Sequence, residues 1–288
     1  MELVVLSGKG GTGKTTVATA LSELARKVMR IDCDVDAPNM YLFYENSGSE
    51  NILEEDFMGS KKAVLFNEKN CIECGKCQRV CRFGAIKNNR INPMLCEGCG
   101  ACVAICPEQV LRLEDEKTAE VYMTKLEEGI ISRAQMEVGS DGSGKLITHL
   151  RKNGKQFLKD EKFTIIDGSP GIGCPVISSI TGSDAVLIVT EPTKSGLLDL
   201  ARVVRLCEYF GIFTMGVINK FDINSEVSME IEEFLKQKNI PLVGVIPYDE
   251  TVMNSINELR PITQYEDSPA AKSIKLMWDR IKKEIFNN

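Results

Sequence analysis

Gly8-Lys9-Gly10-Gly11-Thr12-Gly13-Lys14-Thr15 is the segment that most narrows what this chain can become. It fits G-x-x-x-x-G-K-[ST], a loop whose glycines let successive backbone N–H groups turn inward around phosphate oxygens. Such a loop works between a strand and a helix, because the helix N-terminus adds partial positive charge to the site. Both flanks are present. Glu2–Ser7 is apolar and β-branched, and Lys14–Val28 carries Val17, Ala20, Leu21, Leu24 and Val28 at helical spacing. Arg30–Val35 then reads as a second short strand. The opening is therefore that of an α/β domain with a parallel sheet. On this pattern Gly8 to Thr15, followed by Thr16, should bind a nucleotide. Lys14 should reach the β- and γ-phosphates, and the Thr15 hydroxyl should ligate Mg²⁺.

The alternation resumes after residue 116. Strands are expected at Phe163–Asp167, Ala185–Thr190, Thr214–Asn219 and Leu242–Ile246. Helices are expected at Lys145–Leu158, Ser195–Phe210, Ser225–Lys238 and Ala270–Phe286. This is the pattern of a doubly wound, mostly parallel sheet. Gly139–Gly144 is Gly/Ser-rich and reads as a loop, and Val121–Val138 shows no clear period. The last helix has Ile274, Met277, Trp278, Ile281 and Ile285 on one face, which should dock on the sheet.

Between these two parts the cysteines dominate. The chain has 11, and eight lie between Cys71 and Cys106. A chain of 288 residues, 43% hydrophobic, can bury a core without disulfides. In a reducing compartment such clustering points to metal. The stretch repeats with an offset of 25 residues: Cys71, Cys74, Cys77 and Cys81 map onto Cys96, Cys99, Cys102 and Cys106. Gly75 maps onto Gly100, Val80 onto Ile105 and Ile86 onto Leu111, so a duplicated mini-domain is expected. Its flanks, Ala63–Asn67 and Val110–Leu113, read as short strands. Paired antiparallel, they would bring its ends together and allow insertion into a host domain. Structural zinc is the alternative, although zinc sites usually separate two Cys pairs by a longer loop.

With these residues in view, Lys9-Gly-Gly-Thr-Gly-Lys-Thr15 resembles the deviant P-loop of the MinD/ParA superfamily, which includes the nitrogenase iron protein and Fe–S carrier ATPases. The resemblance implies that Lys9 reaches across an ATP-sandwich dimer to the partner's nucleotide. It implies that Asp34, in Ile31-Asp32-Cys33-Asp34, orients the attacking water and that Asp167, in Ile165-Ile166-Asp167-Gly168, holds Mg²⁺. Asp32 and Asp36 are weaker candidates for this acidic role. The turn after Asp167 resembles switch II. Asn219 would read the adenine edge, and Gly244–Asp249, including Pro247, would close over the base. Asn219-Lys220-Phe221-Asp222 also fits the GTP-selective N-K-x-D letter for letter, so GTP stays open beside ATP.

The two cysteine runs are similar to those of bacterial two-cluster ferredoxins, in which the fourth Cys of each run crosses to the other cluster. That likeness implies one [4Fe–4S] cluster on Cys71, Cys74, Cys77 and Cys106, and a second on Cys96, Cys99, Cys102 and Cys81. Arg82 stands where the usual proline follows the first run. Cys174 follows Asp167 by seven residues, the spacing of a cluster ligand in the nitrogenase iron protein, but a second ligand Cys has no counterpart here.

The expected chain is thus an α/β P-loop NTPase with an inserted α+β bacterial-type ferredoxin domain: residues 1–61 and 116–288 form the ATPase, and 62–115 the insertion. The resemblance implies an ATPase that dimerises on ATP and couples its nucleotide state to electron transfer through two clusters. A carrier or maturation ATPase for Fe–S or metal centres is the alternative, and a MinD/ParA-type spatial regulator a third. Partners would be a second copy and a redox partner or client. With Lys+Arg 35 against Asp+Glu 41, net charge −6, nucleic acid is not expected. No apolar run spans a bilayer and no signal-peptide pattern opens the chain, so a cytoplasmic protein of a reducing, anaerobic cell is expected.

Overall fold

The computed structural model describes residues 1–44, 50–158 and 163–286. In chain order the elements are β1 (Glu2–Leu6), α1 (Lys14–Ala25), β2 (Val28–Asp32), β3 (Glu50–Leu65), α2 (Lys76–Val80), β4 (Ile86–Lys87), β5 (Arg90–Ile91), α3 (Ala101–Ile105), β6 (Leu111–Leu126) and β7 (Gly129–Met136). There follow α4 (Ser143–Phe157), β8 (Thr164–Asp167), α5 (Cys174–Ile180), β9 (Ala185–Thr190), α6 (Lys194–Phe210), β10 (Phe213–Asn219), α7 (Ser225–Gln237), β11 (Leu242–Ile246), α8 (Thr251–Asn257) and α9 (Pro269–Phe286).

The chain divides into two units. The first comprises Met1–Glu54, Val121–Gln135 and Ser143–Asn288; the second comprises Glu55–Glu120 and Met136–Gly142. Among the described residues the main sheet runs β11-β10-β9-β1-β8-β2-β7-β6-β3. From β11 to β7 every neighbouring pair is parallel. β1 lies between β8 and β9, where the winding reverses, and at such a point the carboxyl ends of the strands open a crevice. The phosphate loop follows β1 directly.

The central strands β1, β8 and β9 are buried along their whole length and mostly apolar because both faces are covered. Leu3, Val5, Ile165, Leu187 and Val217 face α1 and α9, in one cluster with Val17, Leu21, Ile274, Met277 and Trp278. The alternate residues Val4, Leu6, Ile166 and Ile188 are equally buried, and α4, α5 and α6 contact β2, β1 and β9. The terminal helix therefore lies on the sheet, as its periodicity predicts. Two boundaries differ from expectation. α1 stops at Ala25, because Arg26 and Lys27 adopt positive φ (48° and 27°), and Val28 already begins β2. The flanking strands of the cysteine region are not short: β3 and β6 each run for 16 residues. They are antiparallel, since Phe66 meets Val110, Ser60 meets Glu116 and Asn51 meets Thr124. Alternating polar residues hide these long strands from a search for apolar runs. The end of β6 and all of β7 occupy the stretch that showed no period.

In the second unit the 25-residue repeat is a repeat of backbone. Two 3-10 turns, Glu68–Asn70 and Pro93–Leu95, precede the two cysteine runs. Asn67 caps the first and Asn92 the second. Cys71 and Cys96 then donate their N–H groups to Glu68 and Pro93. Left-handed Gly75 (φ 67°) and Gly100 (φ 77°) start the five-residue helices α2 and α3. A Cβ at either position would be strained, which is why both runs carry glycine there. Left-handed residues recur in register at Glu73 and Gly98, and at Gly84 and Gln109. The core between the halves is small, formed by Ala63, Ala85, Ile86, Cys96, Cys102 and Leu111.

Candidate nucleotide site and cysteine cavities

Strand β1 ends at Leu6, and the loop turns over its carboxyl end into α1. Gly13 is left-handed (φ 90°), and a Cβ there would stand 2.4 Å from Asn219 Nδ2. At Gly10 and Gly11 a Cβ would meet nothing within 4 Å, so the crest of the loop faces open space. The loop is braced from β10: Asn219 Nδ2 donates to the Thr12 carbonyl (2.8 Å), while its Oδ1 accepts from the Lys220 N–H.

Lys14 and Thr15 turn inward toward β8. Lys14 Nζ lies 2.6 Å from Asp167 Oδ1 and 3.7 Å from Asp34 Oδ2, and Thr15 Oγ1 donates to Asp167 Oδ2 at 2.7 Å. Burial opposes the charge on Lys14, but the Asp167 carboxylate, with Asp34 and Asp32 behind it, outweighs burial and raises its pKa. Burial also raises the Asp34 carboxyl. Asp32, burial first and the Asp167 carboxylate second, is pushed up to about 7. Its oxygens accept from the backbone N–H groups of Asp34, Asn39 and Met40, so it anchors the loop after β2. Asp36 is exposed. A hydroxyl, an ammonium and a half-covered carboxylate gathered beside Asp167 are the donor set that a Mg²⁺-nucleotide needs.

The turn after β8 is tied to β1: Gly168 N–H donates to the Val5 carbonyl and Gly171 N–H to the Ser7 carbonyl. Cys174 is exposed at the start of α5. Cys33 and Cys207 are buried, and burial pushes the Cys207 thiol up to about 11.

Lys9 is held within its own chain. Its Nζ lies 2.7 Å from Glu191 Oε1 and donates to Ser195 Oγ (3.0 Å) and Thr193 Oγ1 (3.4 Å). Glu191 also pairs with Lys220 (3.6 Å). Sequence reasoning missed Glu191, Thr193 and Ser195. The one available signal was Thr193, the N-cap of α6, whose oxygen accepts from the Gly196 N–H.

Beside the loop lies an open cleft of about 770 Å³. Gly11, Thr16, Asn219, Pro247, Tyr248 and Met253 line it. Asp222, the acid of the N-K-x-D letters, accepts from the Tyr248 N–H at 2.7 Å. It ties down the segment that walls the cleft, a use that competes with reading guanine.

The second unit contains two cavities, and cysteines sort between them. One is lined by Cys71, Cys74, Cys77 and Cys106 with Ile72, Ile86 and Leu111 among its apolar walls. The other is lined by Cys81, Cys96, Cys99 and Cys102 with Ala63, Phe83 and Ala85. In each case three cysteines come from one run and the fourth from the other. The Ala63 N–H donates to Cys96 Sγ (3.3 Å). Among the described residues no three His, Cys, Asp or Glu side chains converge on a single ion; the thiols of each set stand around a cavity. Four thiols on apolar walls are a donor set that fits an Fe–S cluster.

Comparison with known proteins bears on the first of these sites. The model of the CobQ/CobB/MinD/ParA nucleotide binding domain matches residues 3–262. An uncharacterized protein of Methanocaldococcus jannaschii is 33% identical, covering 99% of this chain and 98% of its own. An iron-sulfur cluster carrier protein of Pyrococcus horikoshii is 25% identical, covering 99% of this chain and 86% of its own. Among solved structures, the septum site-determining protein MinD of Pyrococcus horikoshii, complexed with Mg-ADP, superposes with a TM-score of 0.58 at 20% identity, covering 98% of this chain and 96% of that one.

Proposed function

The chain belongs to the CobQ/CobB/MinD/ParA nucleotide-binding family, and from that premise we propose that it is an ATP-hydrolysing iron–sulfur protein whose nucleotide state governs electron transfer through two [4Fe–4S] clusters. The observation that carries the reading is the sorting of eight cysteines into two cavities, each lined by three from one run and one from the other. In this reading residues 62–115 are an inserted ferredoxin domain, and 1–61 with 116–288 are the ATPase.

The residues divide the work as follows. The backbone N–H groups of Gly8 to Thr16 cradle the phosphates and Lys14 neutralises them. Thr15 and Asp167, with Asp34, hold Mg²⁺, and Asp34 orients the water for in-line attack. The cleft beside the loop takes adenine between Pro247 and Asn219, which keeps one N–H beyond its bond to Thr12. The use of Asp222 on the Tyr248 backbone supports ATP over GTP. Lys9 leaves Glu191 to engage the nucleotide of a second copy, so the active form is an ATP-dependent homodimer. Clusters supply one-electron transfer when bound. Cys71, Cys74, Cys77 and Cys106 would hold one, and Cys96, Cys99, Cys102 and Cys81 the other. The setting is a reducing, anaerobic cytoplasm.

A carrier or maturation role for Fe–S centres has one observation in its favour, the 25% identity to a protein named as an iron-sulfur cluster carrier. The spatial-regulator reading is weakened by α9, whose apolar face is covered by the sheet and α1. No described helix is long and apolar enough to cross a membrane. An anaerobic EPR-monitored redox titration, with and without Mg²⁺ and a non-hydrolysable ATP analogue, separates the two leading readings. A nucleotide-dependent shift in midpoint potential is expected for the reductase. Unchanged potentials together with transfer of cluster to an apo-protein would replace it with the carrier.

A further inference from the structure

The two cysteine repeats share one backbone and carry opposite charge. Residues 68–91 hold six basic and two acidic side chains, while the equivalent 93–116 hold one basic and five acidic. Lys69, Lys76, Arg79 and Arg82 are matched across the repeat by Met94, Ala101, Ala104 and Pro107. The same turns and the same helix form in both halves, so the scaffold has no need of these cations.

All six basic residues are exposed, and four of them, Lys76, Arg79, Lys87 and Arg90, gather in one patch on α2 and the β4–β5 hairpin. Lys76 and Arg79 stand three apart on α2, on the same side of the helix. Lys87 and Arg90 are directly opposite in the β4–β5 hairpin, a like-charge pairing that costs stability. The hairpin is fastened to α2, because the Asn88 N–H donates to Gln78 Oε1 (3.0 Å). Among the described residues the ion pairs of this unit bypass the patch: they join Lys61 to Asp115, Lys62 to Glu116, Arg112 to Glu114, and Lys117 to Asp56, Glu120 and Glu137. The patch also borders the Cys71 cavity. Lys76 and Asn89 are among its lining, and Arg79 Nη2 donates to the Cys74 carbonyl. Ile72, 61% exposed, lines the same cavity and adds apolar surface to the charged rim.

We propose that this face docks an acidic one-electron carrier protein, and that the electron crosses at the Cys71 cavity. The proposal rests on the cluster reading given above. In the transfer the carrier is oxidised by one electron and the cluster reduced by one; no bond or proton moves. A long polyanion is the poorer fit, since the sister repeat is acidic and the whole chain carries −6. Charge on such a face steers encounter and selects the partner, as a charged patch beside a redox centre should.

The test uses the full chain, isolated anaerobically, with an acidic flavodoxin as probe. Affinity is read by FMN fluorescence anisotropy across a salt series, and iron content and reduction by dithionite are measured on the same samples. Lys76→Glu/Arg79→Glu/Lys87→Glu is expected to bind about tenfold or more weakly, and wild-type binding to weaken with salt. Lys236→Glu/Lys275→Glu/Arg280→Glu, with the same charge change on α7 and α9, is expected to bind as wild type. Lys76→Ala/Arg79→Ala places the residues of the sister repeat on α2, so it folds, and it should weaken binding in the same direction. Equal affinities for the patch and control variants of an iron-replete protein would overturn the docking face alone. So would tighter wild-type binding to phosphatidylglycerol vesicles or single-stranded DNA than to flavodoxin. An iron-free wild type would overturn the functional reading, and with it the electron crossing.

Discussion

Residue by residue, the phosphate site is tightly braced at Gly13 and open at Gly10 and Gly11. Gly13 needs both its left-handed φ and its missing Cβ, because Asn219 Nδ2 occupies the space. Gly13→Ala should lower stability by about 1–3 kcal/mol and weaken nucleotide binding, read by denaturant unfolding and by a fluorescent ATP analogue. Lys9 is different. Its partners Glu191 and Ser195 form a partly exposed ion pair and hydrogen bond. Lys9→Ala should therefore cost under about 1 kcal/mol of stability. It should still abolish ATP-driven dimerisation, which sedimentation velocity will show. The spacing of the loop named Lys14 and Thr15, and the resemblance to the MinD/ParA loop named Lys9. It could not name Glu191, because a carboxylate at a strand end is common and its meaning here comes from Lys9 and Lys220 arriving beside it from distant parts of the chain.

At the scale of elements, the apolar strands and amphipathic helices of the first unit follow the sequence period closely; β9 and β11 match it at both ends. The period fails for β3 and β6, whose polar alternation hides 16-residue strands. It also fails for α5 and α8, seven residues each, too short to show a helical repeat. The start of α9 is held by Asp249, which accepts from Ser268 Oγ and the Ala270 N–H. Burial opposes ionisation of Asp249, but the bonds from Ser268, Thr251 and Ala270 outweigh it and hold the carboxyl below its ordinary 3.8. The stability it contributes is therefore present above 3.8 and is lost as pH falls through the lowered value. Asp249→Asn should cost about 1 kcal/mol at neutral pH and flatten the acid limb of the stability profile, measured by urea unfolding. On the same helix Trp278, 5% exposed and edge-on to Phe163, fills the core under α1. Trp278→Ala should cost about 3–5 kcal/mol, which chemical denaturation will register.

For the whole molecule, the two units differ in what sustains them. The first buries a broad core on both faces of a parallel sheet. Among the described residues, the cluster at the centre of the second has six buried side chains, two of them cysteines. A core of that size does not hold such a unit by itself. If the cysteines hold clusters as proposed, removal of iron by a chelator is expected to unfold the second unit and leave nucleotide binding by the first intact. Hydrogen exchange will show lost protection confined to about residues 55–120 if so. The sequence alone determined the α/β class, the phosphate loop and the 25-residue cysteine duplication. Each is a local pattern whose chemistry depends on neighbours within one turn or one repeat. The likeness to bacterial ferredoxins already implied that the thiols sort three-and-one; only the tertiary structure decided that Asp32 anchors a loop and that Lys9 rests on Glu191. Those outcomes depend on groups far apart in the chain, and chain spacing carries no record of which of them meet once the backbone has closed.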